Sequence, residues 1–354
     1  MKSNGHRTVS IKGIDGMVDF SLERYKFGGN FFSLTEQFSA EHESAVVKDW
    51  IHHEIQFKSY HQVSADLEMV SGKRLYSANQ LNKKVKIYAK EATQELTKTY
   101  AGTQLVIPFS ASSISLYEEK AAEIHLFDDA IGVKKQKSKR VDGYEKQQKT
   151  VQTDVIEVQN QKGGFEYITA GVGVKYWDIE TALLCWLSLN YGNCKLPIVA
   201  ITDGAKTIRL RLWRIFGGQV MIILDWYHLN KKVRELVSMI CFGKTQKQDY
   251  LNLLMPLLWE GKVDNAITKL QEIKPRNALK HEELIDYLTK HKTEIIDYKR
   301  RKEAGKTIGS GRAEKGVDLV VAQRQKNKPI AWSIEGSHAL STLKAQKLNQ
   351  KMAA

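Results

Sequence analysis

Cysteine is scarce in this sequence, and long apolar runs are absent. The three cysteines among 354 residues, Cys185, Cys194 and Cys241, are too few and too irregularly spaced for a disulfide framework or a zinc knuckle. They fit a reducing compartment. No apolar stretch approaches the roughly 20 residues that a helix needs to span a bilayer, and the opening "MKSNGHRTVSIKGIDG" contains no apolar signal core. These absences predict a cytoplasmic protein with no membrane partner.

Acidic residues are the minority among the charged side chains. The chain has 40 Asp and Glu against 54 Lys and Arg, which gives a formal net charge of +14. An excess of this sign favours a polyanionic partner, nucleic acid first and an anionic membrane second. A basic protein without such a partner is the alternative. The 42% hydrophobic content is ordinary for a globular protein, and the length suffices for two or three domains.

The N-terminal third divides into a segment without a pattern and a helical region. Residues 1–44 show no sustained periodicity, so the sequence assigns them no role. From 45 to 104, apolar residues three and four apart predict helices. Two of these flank the break "SGK" at 71–73, with Ser77 as the expected N-cap of the second. The pair is helix-turn-helix-like and predicts a DNA-binding region, although any helical hairpin with surface lysines looks similar. The lysines of its second helix are Lys83, Lys84 and Lys86.

Residues 105–229 alternate strand and helix patterns, which predicts an α/β fold. The order is three strands, a helix, a strand, a helix and a strand. The first strand is expected to end in Asp128 and Asp129, and the fourth, "PIVAITDGA", ends in Asp203 followed by Gly204. An Asp-Gly pair is most often only a turn. The lysine-rich stretch 133–149 is either a solvated hairpin tip or a loop that contacts phosphates.

The C-terminal third is helical in pattern. Residues 230–306 contain no strand signal, and they are followed by "GSG" at 309–311 and a helix that carries Glu314 in its first turn. A last amphipathic helix is expected over 331–349.

Three acidic residues from distant parts of the chain are candidates for one site. If the first and fourth strands are neighbours, Asp129 and Asp203 emerge at the same edge of the sheet, and Glu314 supplies a third carboxylate. Oxygen ligands of this kind suit Mg²⁺, which prefers a few carboxylates together with substrate phosphate. Two such ions roughly 4 Å apart can activate a water or hydroxyl and stabilise the leaving oxygen of a phosphodiester. Glu314 also has a simpler explanation, because an acid in the first turn complements the helix dipole.

Several motifs taken together resemble a known family. "ITDGA", "ILDWYH" and "IGSGRAE" followed by "VVAQRQKNKPIAWS" resemble the Mutator-like DDE transposases of bacterial insertion sequences over about residues 45–349. The resemblance implies a ribonuclease-H-like mixed-sheet core formed by residues 105–229 and 307–349. It also implies that 230–306 is an all-helical insertion and that 45–104 is a DNA-binding region.

The resemblance also implies roles for particular residues. The second family aspartate falls on Asp203 and the glutamate on Glu314. The first aspartate falls on Asp129, with Asp128 and then Asp154 as rivals, because this chain has "FDDAIGV" where relatives usually have Asp-Gly. The family's D-x-x-H motif falls on Asp225 and His228, of which Asp225 has an N-cap and His228 a satisfied core or surface position as simpler explanations. The basic residues placed near DNA are Arg324 and Lys326, for which a solvated face is the alternative.

The function implied is Mg²⁺- or Mn²⁺-dependent strand cleavage and strand transfer of an insertion sequence. The expected partners are double-stranded DNA, both transposon ends and target, and further copies of the chain assembled on it. The expected location is the nucleoid within the cytoplasm. Two alternatives remain open at this point: a catalytically inactive, transposase-derived DNA-binding protein, and another ribonuclease-H-like nuclease.

Overall fold

A three-stranded antiparallel meander opens the chain in the computed structural model. The structure describes residues 2–28, 30–33, 43–106, 115–119, 121–137, 149–192, 196–326 and 330–353. The meander consists of β1 (Lys2–Gly13), β2 (Gly16–Phe27) and β3 (Asn30–Ser33), in that order. The prediction of no sustained periodicity in residues 1–44 is wrong for the strands of the meander. Val9 and Ile11 alternate with polar residues and are buried, which is the period-two signal of a strand.

Three helices follow the meander: α1 (Ala45–Glu54), α2 (Tyr60–Ser71) and α3 (Ala78–Thr99). The predicted break between the last two is confirmed, because Gly72 ends α2 in the left-handed conformation with φ +69°. Ser59 and Ser77 begin α2 and α3 with capping boxes, in which each serine oxygen accepts a hydrogen bond from the backbone three residues on. Helix α3 packs against the last helix, α13 (Ile334–Ala353), so this region is joined to the C-terminus.

A five-stranded mixed sheet lies at the centre of the chain, as the α/β prediction requires. Its order is β6-β5-β4-β7-β8; β4, β5 and β6 are antiparallel, and β7 and β8 run parallel to β4. This mixed order is compatible with a ribonuclease-H-like core. The elements are β4 (Ile124–Lys134), β5 (Thr150–Gln159), β6 (Phe165–Ile168), α4 (Ile179–Tyr191), β7 (Ile198–Thr202), α5 (Lys206–Phe216) and β8 (Val220–Leu224).

The sheet is covered on both faces, and the alternation of β7 shows how. Ile198 and Ala200 point to the side of α4 and α5, whereas Val199 and Ile201 point to the opposite side, where α6 (Trp226–Ile240) packs. All five residues of β7 are buried, which is the continuous apolar pattern of an interior parallel strand.

Strand β4 is longer than the sequence predicts. Parallel pairing with β7 stops at Phe127 opposite Ile201, but antiparallel pairing with β5 continues as far as Lys134 opposite Thr150. The expectation that the strand ends in Asp128 and Asp129 is therefore wrong, since both lie inside a paired strand. The sequence signal failed because acidic residues are uncommon within strands.

The helical stretch after β8 is confirmed: residues 230–306, all of which the structure describes, contain no strand. Next comes a short helix that continues through a π-helical turn, Asp318–Ala322, before α12. No helix in the described ranges combines the length and apolarity needed to cross a membrane. The helices are α6 (Trp226–Ile240), α7 (Lys244–Trp259), α8 (Val263–Gln271), α9 (Ala278–Lys290), α10 (Tyr298–Glu303), α11 (Gly311–Val317) and α12 (Gln323–Gln325).

Candidate active site

Asp129 and Asp203 lie on the same face of the sheet. Phe127 pairs with Ile201, so the same register carried two residues further sets Asp129 level with Asp203. Because side chains alternate along a strand, Asp129 shares the side of Phe127, the side on which α6 packs. Helix α11 also packs on β4 and β5. The two aspartates therefore come from different strands to the same edge of one face.

The rival aspartates Asp128 and Asp154 lie on the opposite face and share one arginine. Nη1 of Arg211, on α5, is 3.0 and 3.2 Å from the two carboxylate oxygens of Asp128, and Nη2 is 2.6 Å from Oδ1 of Asp154. Asp128 is 1% exposed. Burial raises the pKa of Asp128 to about 8, although the charge of Arg211 acts to lower it. The charge of Asp203 raises the pKa of Asp128 as well as that of Asp129, so the face of the sheet and the contact with Arg211 are what distinguish the two aspartates.

Glu314 reaches the site from α11, where it is exposed in the first turn. Its Oε1 lies 3.8 Å from Nε2 of His228, on the first turn of α6. Nδ1 of the same imidazole is buried without a hydrogen-bond partner, 3.6 Å from Oδ1 of Asp225. The structure thus brings His228 and Glu314, which are 86 positions apart in the sequence, into proximity.

Asp225 connects the start of α6 to the start of α11. Its Oδ1 accepts a hydrogen bond from the backbone N–H of His228 at 2.9 Å, which makes it the N-cap of α6, as the simpler explanation held. Its Oδ2 accepts from the backbone N–H of Ser310 and from Ser310 Oγ, the latter at 2.6 Å. Gly309 permits this approach, because a Cβ there would lie 2.7 Å from the ring of Tyr227. The buried Asp225 carboxylate therefore orients the helix that carries Glu314.

The acidic groups influence one another electrostatically. Burial raises the pKa of Asp129, and the negative charges of Asp203 and Glu314 raise it further. A hydrogen bond from the backbone N–H of Ala130, at 2.7 Å, and the nearby His228 act in the opposite direction. A cation bound by these carboxylates would reduce the repulsion between their negative charges.

The three carboxylates are not assembled as a metal centre. In the part of the chain that the structure describes, no group of three or more His, Cys, Asp or Glu side chains is close enough together to hold a metal ion. Oδ1 of Asp203 accepts a hydrogen bond from the backbone N–H of Ala205 at 2.8 Å, much as Asp129 does from Ala130. Their donor chemistry fits a hard cation such as Mg²⁺, but the side chains satisfy themselves on local backbone.

Gly204, the residue after Asp203, makes a tight turn that lies against His291 of the helical region. Gly204 has φ +82°, and a Cβ there would lie 2.8 Å from Cε1 of His291 and 2.8 Å from Cδ1 of Leu224. His291 is buried, and its Nδ1 is 2.6 Å from Oε2 of Glu294. The Asp-Gly pair is thus a turn, and it also presents Asp203. Sequence reasoning missed His291 and Glu294, because a single His-Glu pair in a helical stretch carries no motif.

The predicted DNA-binding lysines of α3 differ in accessibility. Lys83 is exposed, and Lys86 is half-buried and paired with Glu335. Lys84 is 3% exposed, with Nζ 2.9 Å from a carboxylate oxygen of Glu43. Its prediction as a DNA contact is corrected, since one helical turn after the core residue Leu81 it faces inward.

The two basic residues after α11 also differ. Lys326 is exposed, but Arg324 is 3% exposed and is not part of a solvated face. Nε of Arg324 donates to the backbone carbonyl of Ile55 at 3.1 Å. No local pattern indicates this burial, because it depends on contact with a residue 269 positions earlier in the chain. Residues 138–148, most of the predicted lysine-rich loop, lie outside the described residues.

Comparison with known proteins gives distant structural similarity and no sequence match. No protein-family model and no curated protein sequence matches this chain. A solved structure, the Drosophila P element transposase strand transfer complex, is similar with 12% sequence identity over 84% of each chain and a TM-score of 0.23. At these values the similarity establishes neither a shared fold nor a shared activity.

Proposed function

We propose that this chain is a Mutator-like DDE transposase, which cuts and joins DNA with Asp129, Asp203 and Glu314 as its catalytic carboxylates. One observation carries the proposal. Asp129 and Asp203 share a face and an edge of the sheet, and the charges of both Asp203 and Glu314 raise the pKa of Asp129. Asp128 and Asp154 instead share Arg211 on the other face.

The proposal assigns a role to each part of the chain. Residues 105–229 and 307–349 form a ribonuclease-H-like catalytic core, and residues 230–306 form its helical insertion. The capped helices within 45–104, with exposed Lys83, form the DNA-binding region. The formal charge of +14 supports a polyanionic substrate. Residues 1–44 are left without a role.

The side chains of the site divide into ligands and a positioning group. Asp129, Asp203 and Glu314 would hold Mg²⁺ or Mn²⁺, which when bound supplies Lewis-acid stabilisation of phosphodiester oxygens. The carboxylates of Asp129 and Asp203 must turn from the backbone amides that they now contact, and relief of the repulsion among the three carboxylates favours that movement. Asp225, through Ser310, fixes the start of α11 and so limits where Glu314 can lie.

The accessibility of the site fits a polymeric substrate. Asp203 is exposed, and the Glu314 side chain is 65% exposed. A duplex can therefore approach these carboxylates without a channel opening. The resemblance to Mutator-like transposases, which pair two transposon ends as multimers, leads us to infer that copies of the chain assemble on DNA.

The decisive experiment compares cleavage with binding. A labelled duplex carrying the sequences that flank the gene is incubated with the full chain and Mg²⁺ or Mn²⁺. Asp129→Asn, Asp203→Asn and Glu314→Gln should each lower the cleavage rate about a hundredfold or more, because several kcal/mol of charge stabilisation are lost. DNA binding should persist. The matched control is Glu235→Gln, an exposed acid on the same helix as His228.

The outcomes separate the alternatives. Wild-type chain that binds these ends and never cuts them would be a transposase-derived DNA-binding protein. Cleavage without joining of the freed 3′ end would indicate another ribonuclease-H-like nuclease. Full activity in all three carboxylate variants would show that the site is elsewhere.

A further inference from the structure

A cavity of about 280 Å³ lies where the N-termini of three helices meet. Tyr60 and His61 open α2, Ala78 and Asn79 open α3, and Ser333 precedes α13. The first N–H groups of any helix have no acceptor within that helix. Ser59, Ser77 and Ser333 accept from the third N–H of their helices. The donors left at the cavity are the N–H groups of the first two residues of each helix, together with the positive dipole ends.

A buried cation without a counter-charge lines the same cavity. Arg324 is 3% exposed, and its buried Nη1 has no hydrogen-bond partner among the described residues. Its guanidinium carbon lies 5.6 Å from the ring centre of Tyr60 and 5.1 Å from that of Trp332. Burial lowers the pKa of Arg324, and none of the described residues forms an ion pair with it. Oη of Tyr60 is likewise buried and unpartnered.

An unpaired guanidinium in such a place indicates a missing anion. Leaving a buried donor unsatisfied costs about 1–3 kcal/mol, and more for a charged group. The residues that line the cavity include no aspartate or glutamate that would supply the counter-charge. Helix N-termini together with arginine are a recurrent way of binding phosphate.

We propose that this cavity binds a phosphate group of the DNA backbone, held by Arg324 and the N-termini of α2, α3 and α13. The assignment to DNA rests on the proposed function. Arg324 follows Glu314 on one continuous helical segment and lies about 15 Å further along it, at 1.5 Å per residue. A strand whose phosphate occupies the cavity is thereby placed at a set distance from the catalytic carboxylates.

The surroundings of the cavity favour a polyanion over an isolated phosphate ion. Lys83 is exposed one turn beyond Asn79 on α3, and Lys326 is exposed two residues beyond Arg324. Lys137 is exposed next to Gln136, which lines the cavity. These cations can contact neighbouring phosphates of the same strand.

The test places a carboxylate in the cavity without disturbing the buried arginine. Asn79→Asp adds an acid to the first turn of α3, where it favours the helix and opposes a bound phosphate. Asn277→Asp is the matched control, because it makes the same change at the exposed N-terminus of α9. Affinity of the full chain for duplex DNA is measured over a range of salt concentrations. Thermal stability is measured in phosphate and in chloride at equal ionic strength.

The proposal expects a selective loss in Asn79→Asp. Its DNA affinity should fall about tenfold to hundredfold relative to Asn277→Asp, and the slope of log K against log salt should become shallower by about 0.9 for one lost phosphate contact. Phosphate should raise the melting temperature of wild type and Asn277→Asp more than that of Asn79→Asp.

Two results would overturn the proposal. The first result is that the two variants have equal DNA affinity and equal salt slope, while phosphate still raises the melting temperature of Asn277→Asp more than that of Asn79→Asp. This result would assign the cavity to a free phosphate ion. Equality of the two variants in both measurements would show that the cavity binds no anion. Neither result depends on cleavage, so a chain that fails to cut DNA can still pass this test, and one that cuts DNA can fail it.

Discussion

At the scale of single residues, the position after Asp203 shows why glycine, which has no side chain, is required there. Gly204 adopts φ +82° and lies against His291 and Leu224, so it satisfies a backbone requirement and a steric one together. Gly72, at the end of α2, has φ +69° in the left-handed region but nothing within 4 Å of a Cβ. A comparison of the two glycines therefore separates the cost of the left-handed backbone from the cost of the steric contact.

Gly204→Ala should destabilise the chain more than Gly72→Ala. The left-handed backbone costs an alanine about 1–2 kcal/mol at either position, and the forced contact at 204 adds about 1–3 kcal/mol. Urea unfolding of both variants measures the difference. Because Asp203 adjoins the displaced turn, cleavage should also fall in Gly204→Ala alone. Equal free energies of unfolding would mean that the packing over the turn is loose.

At the scale of secondary-structure elements, α6 and α11 are held together at their N-termini by one carboxylate. Ser310→Ala removes the 2.6 Å hydrogen bond from Oγ to Asp225 and leaves that between Asp225 and the backbone N–H of residue 310. We expect a loss of stability of about 1–3 kcal/mol, as for hydrogen bonds to charged groups. The start of α11 should exchange its amide hydrogens faster, and kcat for cleavage should fall with KM for DNA unchanged.

A serine that caps a remote helix provides the comparison for this prediction. Ser44 accepts from the backbone N–H of Val47 at the start of α1, so Ser44→Ala should cost about 1 kcal/mol and leave kcat unchanged. Ser310→Thr, which keeps the hydroxyl, should restore cleavage. A kcat that is insensitive to Ser310→Ala would remove the positioning role of Asp225.

Much of the element order could be predicted from the sequence, because helix caps and strand periodicity are local. The break at Gly72 and the cap at Ser77 follow from the preferences of those residues. The length of β4 could not be predicted, because pairing with β5 extends it through two aspartates. Nor could the burial of Lys84 and Arg324, since Glu43 and Ile55, the residues they contact, lie far away in the sequence. The choice between Asp128 and Asp129 depends on Arg211, which no motif contains.

At the scale of the whole molecule, the two faces of the sheet divide the acidic residues between structure and proposed chemistry. Asp128 and Asp154 join α5 to the sheet, whereas Asp129 faces α11. Glu157 lies on the same face of the sheet as Asp129, because it pairs with Phe127 across β4 and β5. It is 3% exposed, and its Oε2 has no hydrogen-bond partner. The free energy of unfolding therefore depends on whether this carboxyl group is protonated.

Burial raises the pKa of Glu157 to about 7, although Arg312 on α11 acts to lower it. Between about pH 4.5 and 7 the folded chain keeps a proton that the unfolded chain releases, so the contribution of Glu157 to stability declines as pH rises through this range. Glu157→Gln, which cannot ionise, should gain stability relative to wild type from pH 5 to pH 8, by at most about 3 kcal/mol. Urea unfolding at each pH measures this, with Glu235→Gln as the exposed control. A constant difference across the range would mean that Glu157 is ionised throughout, with Arg312 fully compensating its burial.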